Sequence, residues 1–206
     1  MRFIDLPELS KVIHKLNALY KEKLLTPAYA DVFKAFLLCK VSDLKIVIIG
    51  QDPYPQKNVA NGLAFGNKIE TTTLSPSLQI IKNSIYTGEG VFDITMESWA
   101  KQGILLLNNG LTCELNKPQS HVMLWRPFMV KLLKNLSEWE TGLVYILFGA
   151  QAQTLEPYIN KKFNYVLKEK HPAYYARTGE DMPNTVFLEA ARILKENNNI
   201  SVKWCN

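Results

Sequence analysis

Ile46, Val47, Ile48 and Ile49 follow one another with no polar residue between them, and that run constrains the fold more than any other stretch. A strand with one wet face alternates apolar and polar side chains. An unbroken β-branched run reads instead as a strand buried on both faces of a parallel sheet. Similar runs occupy 103–107 and 143–148, and a shorter one occupies 163–167. Between them lie segments whose apolar residues recur at helical spacing. The first is 9–23, with Val12, Ile13, Leu16, Leu19 and Tyr20 on one face, and the second is 29–39. A third helix is expected to start at Ser75-Pro76, a cap followed by a first-turn proline, and to run through Leu78, Ile81 and Ile85. Others are predicted over 127–139, 151–160 and 184–197. The alternation implies an α/β fold, a three-layer α/β/α sandwich around a central, mainly parallel four-stranded sheet. With 206 residues, 47% of them hydrophobic, the chain can bury one sizeable core, and no repeat or linker divides it. A single domain over 1–206 is therefore expected.

The four runs lead in order to Asp52, Asn108, Gly149 and His171. In a parallel sheet the carboxyl ends lie on one side, so these residues can meet in one crevice. After Gly50 and Gln51 come Asp52-Pro53-Tyr54-Pro55, where the prolines fix their own φ and bias the residues before them towards extended backbone. That loop is stiff and presents a carboxylate and an aromatic ring. Asn108 offers both a donor and an acceptor, which suits reading the edge of a base. His171 can donate to a developing oxyanion, and Asp52 can stabilise a developing cation or orient water. The bland readings are an Asp-Pro turn, a turn-forming Asn and a structural His before Pro. Phe65, by composition alone, reads as core. His14 reads as a surface residue of the first helix. The chain carries no Gly-rich phosphate loop, no H-E-x-x-H and no G-x-S-x-G.

Charge and cysteine usage narrow the setting. The net charge of +5, with a pI near 9.0, permits a polyanionic partner without demanding one. Cys39, Cys113 and Cys205 are widely spaced and odd in number, which fits reduced thiols better than a disulfide framework or a four-thiolate metal cluster. Asp5 and Glu8 interrupt the start where a signal peptide would need an apolar core, and no apolar run is long enough to span a bilayer. A cytoplasmic, or more broadly intracellular, protein is expected, with a nuclear or viral setting left open.

Taken together, the motifs resemble those of the uracil-DNA glycosylase family found in bacteria, eukaryotes and some DNA viruses. Gly50-Gln51-Asp52-Pro53-Tyr54 is similar to its water-activating loop, and Gly62-Leu63-Ala64-Phe65 to the segment with its stacking phenylalanine. Pro76-Ser77-Leu78 resembles a DNA-contacting loop. Leu105-Leu106-Leu107-Asn108, followed by Leu111-Thr112, resembles the strand with the uracil-reading asparagine. Gly149-Ala150 stands where a Gly-Ser phosphate contact is common, and His171-Pro172 where an intercalation loop opens. The resemblance implies that Asp52 and His171 are catalytic and that Gln51, Tyr54, Phe65 and Asn108 hold the base. It implies DNA contacts from Pro76, Ser77, Gly149, Ala150, Tyr175 and Arg177. No metal or cofactor is implied.

The departures from the family pattern concern DNA grip. Pro55 replaces a frequent histidine, and Ala150 lacks the usual serine hydroxyl. Ala173-Tyr174-Tyr175-Ala176 stands where Ser-Pro-Leu-Ser is usual, which aligns Tyr175 with the wedge leucine and leaves Arg177 to reach phosphate. Ser120-His121 also resembles a family pair, with His121 read as structural. The implied partners are uracil-containing DNA and, beyond it, a protein inhibitor or replication partner, for a monomer that meets no membrane. The competing reading is a catalytically weak or inactive DNA-binding replication scaffold with the same fold.

Overall fold

The computed structural model describes residues 7–22 and 24–205; Asp5 and Lys23, which enter the expectations above, lie outside them. Six strands and eight α-helices appear among the described residues. Four strands form a sheet in the order β3-β2-β5-β6: β2 (Ile46–Gly50), β3 (Ile104–Asn108), β5 (Val144–Phe148) and β6 (Tyr165–Glu169). Every pairing in it is parallel, with Gly50 opposite Asn108 and Ile49 opposite Leu147. All residues of β2, β3 and β5 are buried, as unbroken apolar runs require. The chain moves from β2 out to β3 on one side, then returns to β5 and β6 on the other. The order therefore reverses around β2, and a crevice opens beyond its carboxyl end.

The fourth run differs from its prediction. β6 begins two residues later, extends through Lys168 and Glu169, and is only partly buried. It is an edge strand, and charged side chains on an edge blunt its tendency to pair with another chain. Asn164, read as strand, instead ties the turn before it, accepting from the Leu143 N–H and donating to the Ser137 carbonyl.

Two groups of helices flank the sheet. On one side α1 (Pro7–Glu22) packs on α5 (Val122–Trp139), while Phe33 and Phe36, flanking and within α2 (Lys34–Leu38), meet Trp125 and Phe128 of α5. On the other, Trp99 of α4 (Glu97–Lys101) and Phe187 of α8 (Thr185–Asn198) stack edgewise with each other and with Trp204. The predicted helix over 29–39 is broken into a 3-10 turn, Tyr29–Asp31, and α2. The one over 151–160 becomes α6 (Gly149–Gln153) and a further 3-10 turn at Glu156–Tyr158, which contains Pro157. Conversely, α5 starts five residues before its predicted first-turn proline. Pro127 lies in its second turn, where the missing N–H would have bonded the carbonyl of Met123, an exposed residue.

A two-stranded antiparallel ribbon, β1 (Leu25–Thr26) with β4 (Cys113–Glu114), stands apart from the main sheet. Helix α3 (Pro76–Ile85) packs on α7 (Pro172–Thr178).

Candidate active site

At the carboxyl ends of the central strands lies a cavity of about 150 Å³. Asp52, Tyr54, Phe65, Asn108 and His171 all line it, with Gln51, Pro53, Pro55, Ser77 and the apolar Ala60 and Leu63 completing most of the wall. Every residue expected to catalyse or to hold a base is therefore brought together.

The aromatic side of the cavity is held by geometry that glycine and strain make possible. Phe65 has a left-handed φ of 65° and is buried, a conformation a bulky residue adopts only when its surroundings over-determine it. Here the Ala64 N–H bonds the Leu106 carbonyl, and the Tyr54 hydroxyl donates to the Phe65 carbonyl at 3.0 Å. The Phe65 ring packs edgewise on Phe148, with centroids 5.4 Å apart, and lies 5.6 Å from the His171 ring. Gly50 makes the close approach feasible. A Cβ there would stand 2.6 Å from Asn108 Oδ1 and 3.1 Å from the Phe65 ring.

Burial pushes the Tyr54 phenol above its ordinary value, opposed by the neighbouring Ser75 side chain and Leu78 backbone. Ser75 sits at the cap position of α3, as expected, yet makes no capping bond. The tyrosine ring is anchored at its far end by the bond to the Phe65 carbonyl.

Asp52 accepts two hydrogen bonds, one on each oxygen. Gln51 Nε2 donates to Oδ1 at 2.9 Å, and the backbone N–H of Gln119 donates to Oδ2 at 2.7 Å. Burial raises the carboxyl above the usual carboxylate range, and the two donors, which favour the charged form, oppose it. Asn108 is 7% exposed, and no hydrogen bond to its side-chain amide is found among the described residues. A buried amide facing a cavity is poised for a ligand that can satisfy it.

His171 caps α7, where its Nδ1 accepts from the Ala173 N–H at 3.2 Å. With Nδ1 an acceptor, the proton of the neutral ring belongs on Nε2. Burial pushes the ring down to about 4, so at neutral pH it is uncharged. Gly149, at φ +82°, lets the chain pass His171: an added Cβ would lie 2.7 Å from the histidine Cβ.

The residues expected to contact DNA divide. Pro76, Ala150 and Arg177 are exposed, while Ser77 and Gly149 are buried, Ser77 within the cavity wall. Tyr175, expected as a wedge, is turned inward in this structure. Residues 172–178 are helical rather than an open loop, and Tyr175 is 5% exposed, its hydroxyl donating to Glu169 Oε1 at 2.6 Å. The neighbouring Tyr174 carries the cations, with Lys170 Nζ 4.1 Å from its ring centre and Arg177 also over it. His121 is buried in a structural chain. Trp125 Nε1 donates to Thr112 Oγ1, which lies 2.9 Å from His121 Nδ1. Sequence reasoning missed the Gln119 donor and the steric role of Gly50. No group of three or more His, Cys, Asp or Glu able to hold a metal ion occurs among the described residues.

An aromatic wall, an unengaged amide, a neutral imidazole N–H and a partly dry carboxylate thus meet at the strand ends of an α/β/α fold. The family model of the Uracil DNA glycosylase superfamily matches residues 37–195. The chain belongs to that family. Among curated relatives, uracil-DNA glycosylase of Fusobacterium nucleatum is 34% identical, covering 94% of this chain and 87% of its own. That of Campylobacter jejuni is 36% identical, covering 92% and 83%. Of the solved structures, mimivirus uracil-DNA glycosylase superposes with a TM-score of 0.81 at 20% identity over 99% of this chain and 88% of its own, which speaks to the fold. A Y322F form of the mimivirus protein has been solved in complex with UGI, with a TM-score of 0.80 at 20% identity over 99% and 90% of the two chains.

Proposed function

We propose that this cavity performs uracil excision with Asp52 and His171 as its catalytic groups and Gln51, Tyr54, Phe65 and Asn108 as its base-holding ones. The reaction is hydrolysis of the N-glycosidic bond of deoxyuridine in DNA, a repair step that leaves an abasic site. The observation that carries the assignment is the single cavity shared by Asp52, Phe65, Asn108 and His171. A scaffold that only bound DNA would have no chemical need for all four.

The glycosidic carbon is poorly accessible inside a duplex, so the nucleotide is flipped into the pocket. Phe65 stacks on the ring and Asn108 satisfies its polar edge. Tyr54, anchored through its hydroxyl, stands against C5 and excludes the thymine methyl. As the bond breaks, electrons pass to uracil and the sugar becomes cationic. The neutral His171 donates a hydrogen bond from Nε2 to the developing oxyanion, a contribution of about 3 to 4 kcal/mol for one such donor. Asp52 stabilises the cation and orients water. At about 4 Å and an effective dielectric near 20, that attraction is about 4 kcal/mol.

Pro76, Ala150 and Arg177, exposed on neighbouring elements, grip the DNA backbone, with Ser77 and Gly149 lining the approach. Tyr175 acts beneath them by supporting α7. Uracil-containing DNA is the substrate, and a protein that binds the mimivirus relative, UGI, marks the kind of inhibitor this face could accept. The setting is intracellular, in keeping with the unpaired cysteines; among the described residues no helix is long and apolar enough to cross a membrane. The test is cleavage of an oligonucleotide with one uracil. Stoichiometric abasic-site formation is expected; tight binding without it would return the scaffold reading.

A further inference from the structure

The Asp52 loop is stiff but cannot hold itself in place. Pro53 and Pro55 have no N–H to donate, so the loop's position depends on donors from elsewhere reaching its carbonyls. Three consecutive carbonyls each find one on the β1/β4 side of the molecule. Cys113 Sγ lies 3.5 Å from the Pro53 oxygen, Thr26 Oγ1 is 3.2 Å from the Tyr54 oxygen, and the Asn116 N–H is 2.9 Å from the Pro55 oxygen. The turn that follows β4 then delivers the Gln119 N–H to Asp52 Oδ2. Asn116 and Gln119 both adopt left-handed backbone, at φ 60° and 66°. The turn is tied off by the Glu114 N–H donating to Ser120 Oγ and the Lys117 N–H to the Glu114 carbonyl. Gln119 is itself exposed. The strain of its φ is thus matched by no packing of its own side chain; the conformation directs the Gln119 N–H at Asp52 while its carbonyl accepts from the Val122 N–H, 3.2 Å away, at the start of α5.

We propose that Gln119 is a positioning residue for uracil excision: its backbone N–H, aimed by the turn after β4, fixes the carboxylate of Asp52 in the cavity. The proposal rests on Asp52 being the cation-stabilising, water-orienting group. The titratable groups around that carboxylate are His171 and Tyr54 across the cavity and the Cys113 thiol behind the loop. Asp52 has no ion-pair partner among the described residues. The ionised form therefore depends on the two neutral donors, Gln51 and Gln119, and losing either favours protonation.

The decisive variant replaces the residue 119 amide by an ester, through incorporation of the α-hydroxy analogue of glutamine, which removes the N–H and little else. Single-turnover cleavage of a one-uracil oligonucleotide is measured from acid to neutral pH. The expected result is a fall in rate of about 10- to 100-fold at neutral pH, an acid limb displaced towards higher pH, and DNA affinity within about twofold of the parent. A wild-type rate and an unmoved acid limb would overturn the proposal. Should the ester variant not fold, Gln119→Val and Gln119→Gly supply the second test. Both retain the N–H, but only glycine accepts the left-handed φ without strain. The valine variant should show the slowed rate and displaced limb, and the glycine variant should rescue both; identical profiles for the two would refute the role. Asp52→Asn separates the two claims. If it cleaves at the parent rate, the Asp52 assignment fails, whereas an inactive Asp52→Asn beside an unaffected ester variant fails Gln119 alone.

Discussion

Gly50→Ala is the sharpest probe of how the base pocket is built. The added methyl would lie 2.6 Å from Asn108 Oδ1, about 0.8 Å inside ordinary contact at 3.4 Å, and 3.1 Å from the Phe65 ring. Gly50 is paired within β2 and opposite Asn108 in β3, so the backbone cannot retreat without breaking the sheet register. Relief must come from the two side chains, and the open direction for both is the cavity itself. A displacement approaching 1 Å of a group that positions a substrate reduces the rate by about a hundredfold, equivalent to about 2.7 kcal/mol of transition-state stabilisation. The fold should lose only about 1 to 3 kcal/mol to overpacking, a fall in Tm of several degrees. Single-turnover cleavage, DNA affinity by fluorescence anisotropy and thermal melting measure the three quantities separately. In an Asn108→Ala background the same substitution should have a much smaller effect, because the clashing oxygen is gone. A folded Gly50→Ala protein with parental cleavage, or equal effects in the two backgrounds, would refute the claim that this glycine sets the position of the amide.

Other perturbations test separate parts of the site. Asn108→Ala should slow uracil release at least about a hundredfold, since a pocket built to hydrogen-bond its ligand discriminates strongly, while bulk DNA affinity, measured by anisotropy, changes only a few-fold. Because His171 is pushed down to about 4 from an ordinary 6.5, the unfolded chain binds more protons than the native one between those values, and native stability gains as pH rises through that window. Relative to His171→Gln, the parent should gain up to about 3 kcal/mol from pH 4 to 6.5. Melting curves of both proteins across that range check it; the raised Asp52 acts in the opposite sense and is common to both. Tyr175→Phe should lower Tm by several degrees through loss of its bond to Glu169, worth about 1.5 to 3 kcal/mol for a charged acceptor, yet leave single-turnover cleavage nearly intact. Arg177→Ala should do the reverse, leaving Tm in place and reducing the slope of log affinity against log salt by about 1.

The sheet was legible because burial on two faces leaves its mark on every residue of a strand. Runs at 46–49, 103–107 and 143–148 lie on β2, β3 and β5 almost as read. β6 was misplaced because an edge strand needs no such run: Lys168 and Glu169 belong to it, while Phe163 and Asn164 do not. Helix ends were less legible, as Pro127 inside α5 illustrates, since a proline early in a helix is compatible with both a start and a second turn. Asp52, Asn108 and His171 could be placed from topology alone, each at or just beyond the end of a strand that finishes on the same side. Tyr175 could not. Its alignment with a wedge position gave no sign that the segment coils into α7 and turns that ring inward towards Glu169. Gln119 was invisible for a more basic reason, because what it contributes is a backbone N–H and residue type carries no record of where that points.

The same distinction bears on how one methyl group can be refused. A hydrophobic pocket that can adapt separates substrates differing by a methyl by only about 1 to 3 kcal/mol, so strong rejection demands a wall that does not yield. Rigid dihedrals at Pro53 and Pro55 restrict the backbone beside Tyr54, but a stiff loop can still move as a body. What prevents this is that the tyrosine is fixed at both ends: its carbonyl accepts from Thr26, and its hydroxyl donates to the Phe65 carbonyl. The second of these bonds ties it to the strained Phe65 segment. Moving the ring aside to admit a thymine methyl would therefore disturb the Phe65 segment as well. In the role proposed for Tyr54, rejection would be a property of the bracing around it rather than of the ring alone, and Thr26→Val should weaken it even with Tyr54 in place.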